Sequence, residues 1–121
     1  MLNQLILVAM GGALGAIIRF LNSKVVAHYF PANLYWATFL VNVIGCFLMG
    51  ITYMWLSNKF QASENLRLFI TVGFLGALTT WSTFSMETVL MFNSGEVIKG
   101  IVYLLSTCVF CFIAFYVGMK I

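Results

Sequence analysis

Residues 73–87 read Gly73-Phe74-Leu75-Gly76-Ala77-Leu78-Thr79-Thr80-Trp81-Ser82-Thr83-Phe84-Ser85-Met86-Glu87. Two glycines precede five hydroxyl side chains among seven residues, and the surrounding stretch, residues 68–86, is uncharged. Glycine and short hydroxyl residues make poor lipid-facing helix, and non-helical backbone at membrane depth is tolerated only inside protein or beside water. We therefore expect a span that breaks near its middle, where freed carbonyls could coordinate a cation. A lipid-exposed kink is the alternative.

The composition around this stretch requires a membrane. Of 121 residues, 63% are hydrophobic and 7% are charged, whereas a soluble domain carries about 25% charged residues. Since one helical span takes about 20 apolar residues, the chain is predicted to be a single four-span, all-α membrane domain. The predicted spans are about 3–27, 34–57, 66–92 and 97–119. This leaves no room for a catalytic domain or a nucleic-acid module, so we expect neither an enzyme nor a nucleic-acid partner.

The basic residues give no orientation signal. An excess of Lys and Arg usually marks the cytoplasmic side, but four spans divide these residues three against three: Lys59, Arg67 and Lys120 on one side, and Arg19, Lys24 and Lys99 on the other. Either another factor orients the chain, or it inserts both ways and pairs as an antiparallel dimer. A four-span monomer is also thin for enclosing a polar path, which favours assembly.

Several intramembrane side chains are candidates for an ion path. Asn42, one turn after Thr38, could join helices by hydrogen bonds or offer amide donors to an anion. Arg19 could extend to the interface or make the mouth of an anion path positive. Glu87 is the one acid within an apolar stretch and is a functional candidate for that reason.

The fourth predicted span carries a stripe of Tyr103, Thr107 and Cys111, spaced four residues apart. These donors could pass an anion along or hold two helices together. We interpret Cys111, with Cys46 and Cys108, as small core residues rather than as a metal or redox centre. In the first span, Gly11 and Gly15 have the spacing that lets helix backbones approach closely in lipid.

Three stretches resemble the signature sequences of one family, the Fluc (CrcB) fluoride channels. They are Gly11-Gly12-Ala13-Leu14-Gly15-Ala16-Ile17-Ile18-Arg19-Phe20, Val41-Asn42-Val43-Ile44-Gly45-Cys46-Phe47-Leu48-Met49-Gly50 and Gly76-Ala77-Leu78-Thr79-Thr80-Trp81-Ser82-Thr83-Phe84. They occur in the family's order across nearly the whole chain. The resemblance implies an antiparallel, dual-topology homodimer in the bacterial inner membrane that exports cytoplasmic fluoride passively through two pores.

The resemblance also implies roles for single residues. Gly76 and Thr79 match the positions whose backbone carbonyls hold a structural sodium ion at the dimer interface. Asn42 and Phe84 match pore residues, and Arg19 matches the vestibule arginine. The polar track corresponds to Ser82, Thr83, Tyr103 and Thr107, with Cys111 at a position often occupied by a hydroxyl.

One position departs from the family pattern, because Trp81 replaces the first of two phenylalanines. Indole is larger than a phenyl ring, keeps an aromatic edge and adds an N–H donor, so altered conduction or pairing with a second, non-identical subunit stays open.

Two other functions remain as alternatives. A small four-span multidrug or cation exporter would need an acid in the first span, and residues 1–18 have no ionisable side chain; a non-conducting membrane subunit would leave the mid-depth polar residues unexplained.

Overall fold

The computed structural model describes residues 1–56 and 63–121, and in this part of the chain all regular structure is helical. The helices are α1 (Leu2–Tyr29), α2 (Tyr35–Met54), α3 (residues 64–78), α4 (Trp81–Asn93) and α5 (Val97–Lys120). Four segments are long and apolar enough to cross a membrane: Leu2–Tyr29, Tyr35–Met54, Glu64–Asn93 and Val97–Lys120. The four-span, all-α prediction is confirmed. The end of the predicted second span at Ser57 and the loop charge Lys59 lie outside the described residues.

The third membrane segment contains α3 and α4. Its first half starts as α-helix at Glu64–Arg67, continues with the wider π-helical winding at Leu68–Leu75, and closes with Gly76–Leu78. The helix begins two residues before the predicted residue 66, because the Ser63 hydroxyl caps it by accepting the Leu66 amide at 3.3 Å. Serine at this position satisfies an amide that has no partner inside the helix.

Helices α1 and α3 meet backbone to backbone. A Cβ on Gly11 would collide with the Phe69 carbonyl, and one on Gly15 would collide with the Phe74 carbonyl. From the other side, Gly73 lies against the Val8 carbonyl. The Gly11 and Gly15 spacing therefore serves helix packing, as its sequence pattern indicated.

Helices α2 and α5 form a second close pair. Gly50 lies against the Phe115 carbonyl, and Gly118 lies against the Phe47 carbonyl. The rings of Phe39 and Phe110 also pack across this pair, 5.9 Å apart. Since contacting residue numbers rise together along both helices, α2 and α5 run parallel.

The buried apolar side chains form two small clusters along the third segment. Val41, Leu75 and Leu78 pack together before the end of α3, and Phe84, Met91 and Tyr103 pack together along α4. Elsewhere the surface is largely apolar: of the 28 residues of α1, only Gly11, Gly15 and Val26 are buried. A surface of this kind suits a lipid environment, so the chain is a multi-pass membrane protein.

Candidate functional site

The centre of the site is the gap between α3 and α4. Thr79 and Thr80 have extended backbones, with φ and ψ of −81° and 157° and of −150° and 118°. Thr80 is buried, and the Thr79 methyl group packs against Gly45 of α2. The third segment therefore breaks inside protein and not as a lipid-exposed kink.

Asn42 of α2 holds the break open. Its Oδ1 accepts the Thr80 amide at 2.7 Å, and its Nδ2 donates to the Thr80 carbonyl at 3.0 Å. The carboxamide thus replaces the backbone partners that Thr80 would have in a continuous helix. Asn42 is buried, so this pair of bonds also satisfies a polar side chain that would otherwise be costly among apolar groups.

The break frees carbonyl groups that a continuous helix would bond, including those of Gly76 and Thr79. In a continuous helix the Gly76 and Thr79 carbonyls would accept the amides of Thr80 and Thr83. Here the Thr80 amide is bound by Asn42, and the Thr83 amide donates to Thr80 Oγ1 at 3.2 Å. The two carbonyl positions that the family resemblance singles out are therefore among those that lose their helical donors.

Hydroxyl groups cluster at the start of α4. Thr80 Oγ1 caps the helix and donates to Thr83 Oγ1 at 3.1 Å, and it also lies 3.3 Å from Ser82 Oγ. Because Thr83 Oγ1 accepts here, its own O–H remains available to a ligand. Thr80 was not among the predicted site residues. Its signal in the sequence was that of a helix cap, a threonine directly before an apolar helix.

Glu87 joins three helices. Its carboxylate accepts from Thr38 Oγ1 of α2 at 2.9 Å and from Tyr103 Oη of α5 at 2.7 Å. Each of these hydroxyls has a single proton to donate. Thr38 and Tyr103 are therefore committed to the carboxylate, and an anion passing them has to compete with it.

The two aromatic residues of the hydroxyl run have opposite environments. Phe84 is 1% exposed, and its ring lies 5.2 Å from the Tyr103 ring in an edge-on arrangement. Trp81 is 71% exposed, with its ring 5.1 Å from that of Phe84 and tilted by 57°. The indole therefore projects away from the chain's own core.

Thr107 lies one turn after Tyr103 on the same face of α5. Its Oγ1 is buried and has no hydrogen-bond partner within residues 1–56 and 63–121. Nearly all buried polar groups in native proteins are paired, so an unpaired one requires an explanation.

A cleft leads to the break from the α1 side. One cavity of about 280 Å³ reaches Arg19, Thr38, Thr80 and Thr83, and a neighbouring cavity of about 370 Å³ contains Thr38 and Thr83 together with Lys24 and Glu87. The cleft thus has two cations at its α1 wall, and hydroxyl groups together with the Glu87 carboxylate at its α2 and α4 walls.

The sequence-predicted residues fall into three groups. Arg19, Thr38 and Thr83 share the cleft, while Asn42 meets the break itself. Glu87 and Tyr103 lie together between α4 and α5. Trp81 and Ser82 lie on the exposed side of α4, although Ser82 Oγ is 3.3 Å from Thr80 Oγ1 at the edge of the cleft.

Comparison with known proteins agrees with this architecture. Residues 6–119 match the model of a family described as CrcB-like protein, Camphor Resistance (CrcB). The chain belongs to the CrcB family. This is a family of ion channels and not of enzymes.

Curated relatives match almost end to end. A protein of Hahella chejuensis is 39% identical over 118 residues, covering 98% of this chain and 93% of the relative. One of Shewanella sp. (strain ANA-3) is 40% identical over 120 residues, and one of Shewanella halifaxensis is 36% identical over 120 residues; each covers 99% of this chain and 96% of the relative. All three are named "Fluoride-specific ion channel FluC". The resemblance noted from the three motifs is confirmed.

Proposed function

We propose that the chain is a fluoride-selective channel that exports cytoplasmic fluoride passively across the bacterial cell membrane. The observation that carries this proposal is the buried, unpaired Thr107 hydroxyl, one turn from Tyr103 on α5. A small anion that accepts hydrogen bonds would satisfy it. The name carried by the CrcB-family relatives supports fluoride as that anion.

Donor chemistry supports an anion path rather than a cation path. Fluoride must give up hydration water and regain hydrogen-bond donors from the protein, and release requires that no single contact be too strong. Thr83 and Thr107 offer neutral O–H donors, which attract the ion without the full charge that would trap it. Arg19 and Lys24 outnumber the single carboxylate of Glu87 along the cleft, which favours anion entry.

At Glu87, fluoride has to compete with a carboxylate for hydrogen-bond donors. The carboxylate occupies the protons of Thr38 and Tyr103, so fluoride reaching this point has to exchange with a carboxylate oxygen for one of them. Phe84 lies against the same tyrosine and can offer a ring edge, which is the positive part of an aromatic ring.

We further propose that two chains form an antiparallel, dual-topology homodimer with two pores. The equal charge count on the two sides supports insertion in both orientations. The exposure of Trp81 at the break supports an aromatic contribution to a neighbouring subunit. A heterodimer with a non-identical subunit is the alternative assembly that is compatible with Trp81.

The freed Gly76 and Thr79 carbonyls fit a structural sodium ion at the dimer interface. Carbonyl oxygens are suitable ligands for a hard monovalent cation. Residues 1–56 and 63–121 hold no group of three His, Cys, Asp or Glu side chains that could bind a metal instead. One chain contributes two such oxygens, so a complete site needs the second subunit. The ion would add positive charge near the anion path.

The test is fluoride efflux from liposomes that contain the purified protein, with chloride efflux measured in parallel. We expect fluoride flux well above that of empty vesicles and little chloride flux. Absence of fluoride flux in both the wild type and Trp81→Phe would reject the channel. Flux that appears only in Trp81→Phe would assign the defect to the indole.

Orientation is tested separately. A tag at each terminus should be accessible from both sides of the membrane if the chain has dual topology. One uniform orientation would reject the antiparallel dimer and would favour a channel or subunit of another assembly. A multidrug exporter predicts proton-coupled transport of an organic cation, which the same liposomes can measure.

A further inference from the structure

The three cysteines do not pair as their sequence spacing suggests. Cys108 and Cys111 form a C-x-x-C on α5, but the Cys111 thiol also interacts with the thiol of Cys46 on α2. Cys108 packs instead against the cluster of Phe84, Met91 and Tyr103. The structure thus places thiols from two different helices near each other.

The helix register explains this contact. Gly50 lies against the backbone of Phe115, and because α2 and α5 run parallel, four residues back along each helix lead to Cys46 and Cys111. Residues four apart share a helix face. The two cysteines therefore lie one turn from the point where glycine lets the helices touch, on facing turns of the two helices.

We propose that Cys46 and Cys111 form a two-thiol site for a soft divalent metal ion that takes two ligands in line, with Hg²⁺ as the representative ion. On binding, each thiol loses its proton to water and each sulfur forms one metal–sulfur bond, so no electron transfer is involved. Thiolate sulfur is the ligand type that selects soft ions.

Charge balance favours a divalent ion here. Two thiolates and one Hg²⁺ make a neutral complex, whereas a monovalent ion would leave one negative charge among apolar side chains, at a high desolvation cost. The described residues contain no third His, Cys, Asp or Glu that would complete a larger coordination shell. A site with two thiol ligands suits an ion that binds two ligands in line. It does not suit zinc, which takes four ligands.

Binding would affect the face of α5 that carries Thr107. Cys111 lies one turn after Thr107, and its thiol would be tied to α2 by the metal. Both helices carry hydrogen-bonding residues of the site, Asn42 and Tyr103 among them. The site itself does not depend on the proposed channel function, but its effect on flux does.

The first test measures metal retention. Purified full-length protein receives one equivalent of HgCl₂ with an excess of a monothiol competitor, and the mercury remaining per chain after gel filtration is counted. We expect about one ion in the wild type and in Cys108→Ala, but at least about tenfold less in Cys46→Ala, because a second thiol on the same protein acts at high effective concentration. Equal retention in Cys46→Ala, or equal loss in Cys108→Ala, would overturn the proposal.

A second measurement needs no variant and so does not depend on variant folding. The mercury-loaded wild type is alkylated and the modified cysteines are mapped. We expect Cys46 and Cys111 to be protected while Cys108 reacts as in the metal-free protein. Alkylation of Cys46 at the metal-free level would contradict the site.

Measuring fluoride efflux in the presence of HgCl₂ distinguishes this inference from the proposed function. One equivalent of HgCl₂ should reduce fluoride efflux severalfold in the wild type and in Cys108→Ala, and should leave Cys46→Ala unaffected. Retention and protection in a protein that passes no fluoride would support the thiol site and count against the channel.

Discussion

The two halves of the third membrane segment are held in opposite ways. Helix α3 is fixed by shape, since Gly73 and its neighbours lie directly on the backbone of α1. Helix α4 is fixed by hydrogen bonds, through the cap at Thr80 and the carboxylate of Glu87. The half that contacts α1 by backbone packing has free polar groups mainly at its end, in the Gly76 carbonyl, whereas the half held by polar side chains carries the hydroxyl and carboxylate groups of the site. Damage to α3 packing should therefore affect folding first, and damage to α4 should affect transport first.

The largest effect is expected from Gly15→Ala. Its new methyl group would meet the Phe74 carbonyl and the Leu78 amide, which are backbone atoms that cannot rotate away. We expect a loss of stability of about 3 kcal/mol, at the upper end for overpacking, measured by thermal unfolding in detergent. Gly12→Ala is the matched control, because its nearest atom is the Gly73 carbonyl at 3.9 Å. Similar losses in both variants would remove the packing argument for α3.

Asn42→Ala should affect both stability and transport. It leaves the Thr80 amide and carbonyl without their partner, and we expect a stability loss of about 2 kcal/mol, within the range for unsatisfied buried groups. We expect fluoride flux to fall at least tenfold while dimer formation, followed by cross-linking, persists. Asn22→Ala removes another interhelical amide, one that donates to the Ala37 carbonyl, and should retain most of the flux. Normal flux in Asn42→Ala would mean that the path does not need the break.

Phe84→Ile should reduce transport more than stability. The substitution removes the ring that lies against Tyr103 but keeps a large apolar side chain in a buried position, so we expect a stability loss of about 1.5 kcal/mol. Flux should fall severalfold without loss of the dimer. Phe112→Ile, at a side chain that is 77% exposed, serves as control. Equal flux in the two variants would place the path away from Phe84.

The smallest effect on stability is expected from Thr83→Val. This change keeps the shape and removes the hydroxyl that accepts from Thr80, with an expected cost of about 1 kcal/mol. Flux should fall severalfold because the free O–H in the cleft is lost. Thr71→Val makes the same substitution in α3, where the hydroxyl donates to the Arg67 carbonyl. If Thr71→Val lowers flux as much as Thr83→Val, the two halves do not differ in function.

The sequence could predict the fold because hydropathy and charge depend on local composition. Uncharged runs separated by charged turns are sufficient to count four spans, and the glycine and hydroxyl run from Gly73 to Ser85 is sufficient to predict a break. The π-helical winding at Leu68–Leu75 could not be foreseen. Its sequence is a plain apolar run, and nothing in it distinguishes π-helical from α-helical winding.

Side-chain partners in the site were harder to predict. Asn42, Glu87 and Tyr103 were singled out as polar residues at membrane depth, but which groups they bind depends on contacts between helices 16 to 49 residues apart in sequence. Thr80 was missed as a site residue because its role as a cap resembles an ordinary helix start. The pairing of Cys46 with Cys111 required the register of α2 and α5, which glycine packing sets.

The amide bridge from Asn42 to Thr80 has a consequence for the order of events during biogenesis. Backbone groups without partners are very costly in lipid, so a newly inserted third segment has its lowest free energy as one uninterrupted helix. We expect the break to form when α2 docks and supplies its carboxamide. Extending Thr79 and Thr80 then lengthens the segment by about 3.6 Å, since each extended residue advances about 3.3 Å instead of about 1.5 Å. Maturation of the ion path is therefore a late step of tertiary assembly, and membrane insertion alone does not complete it.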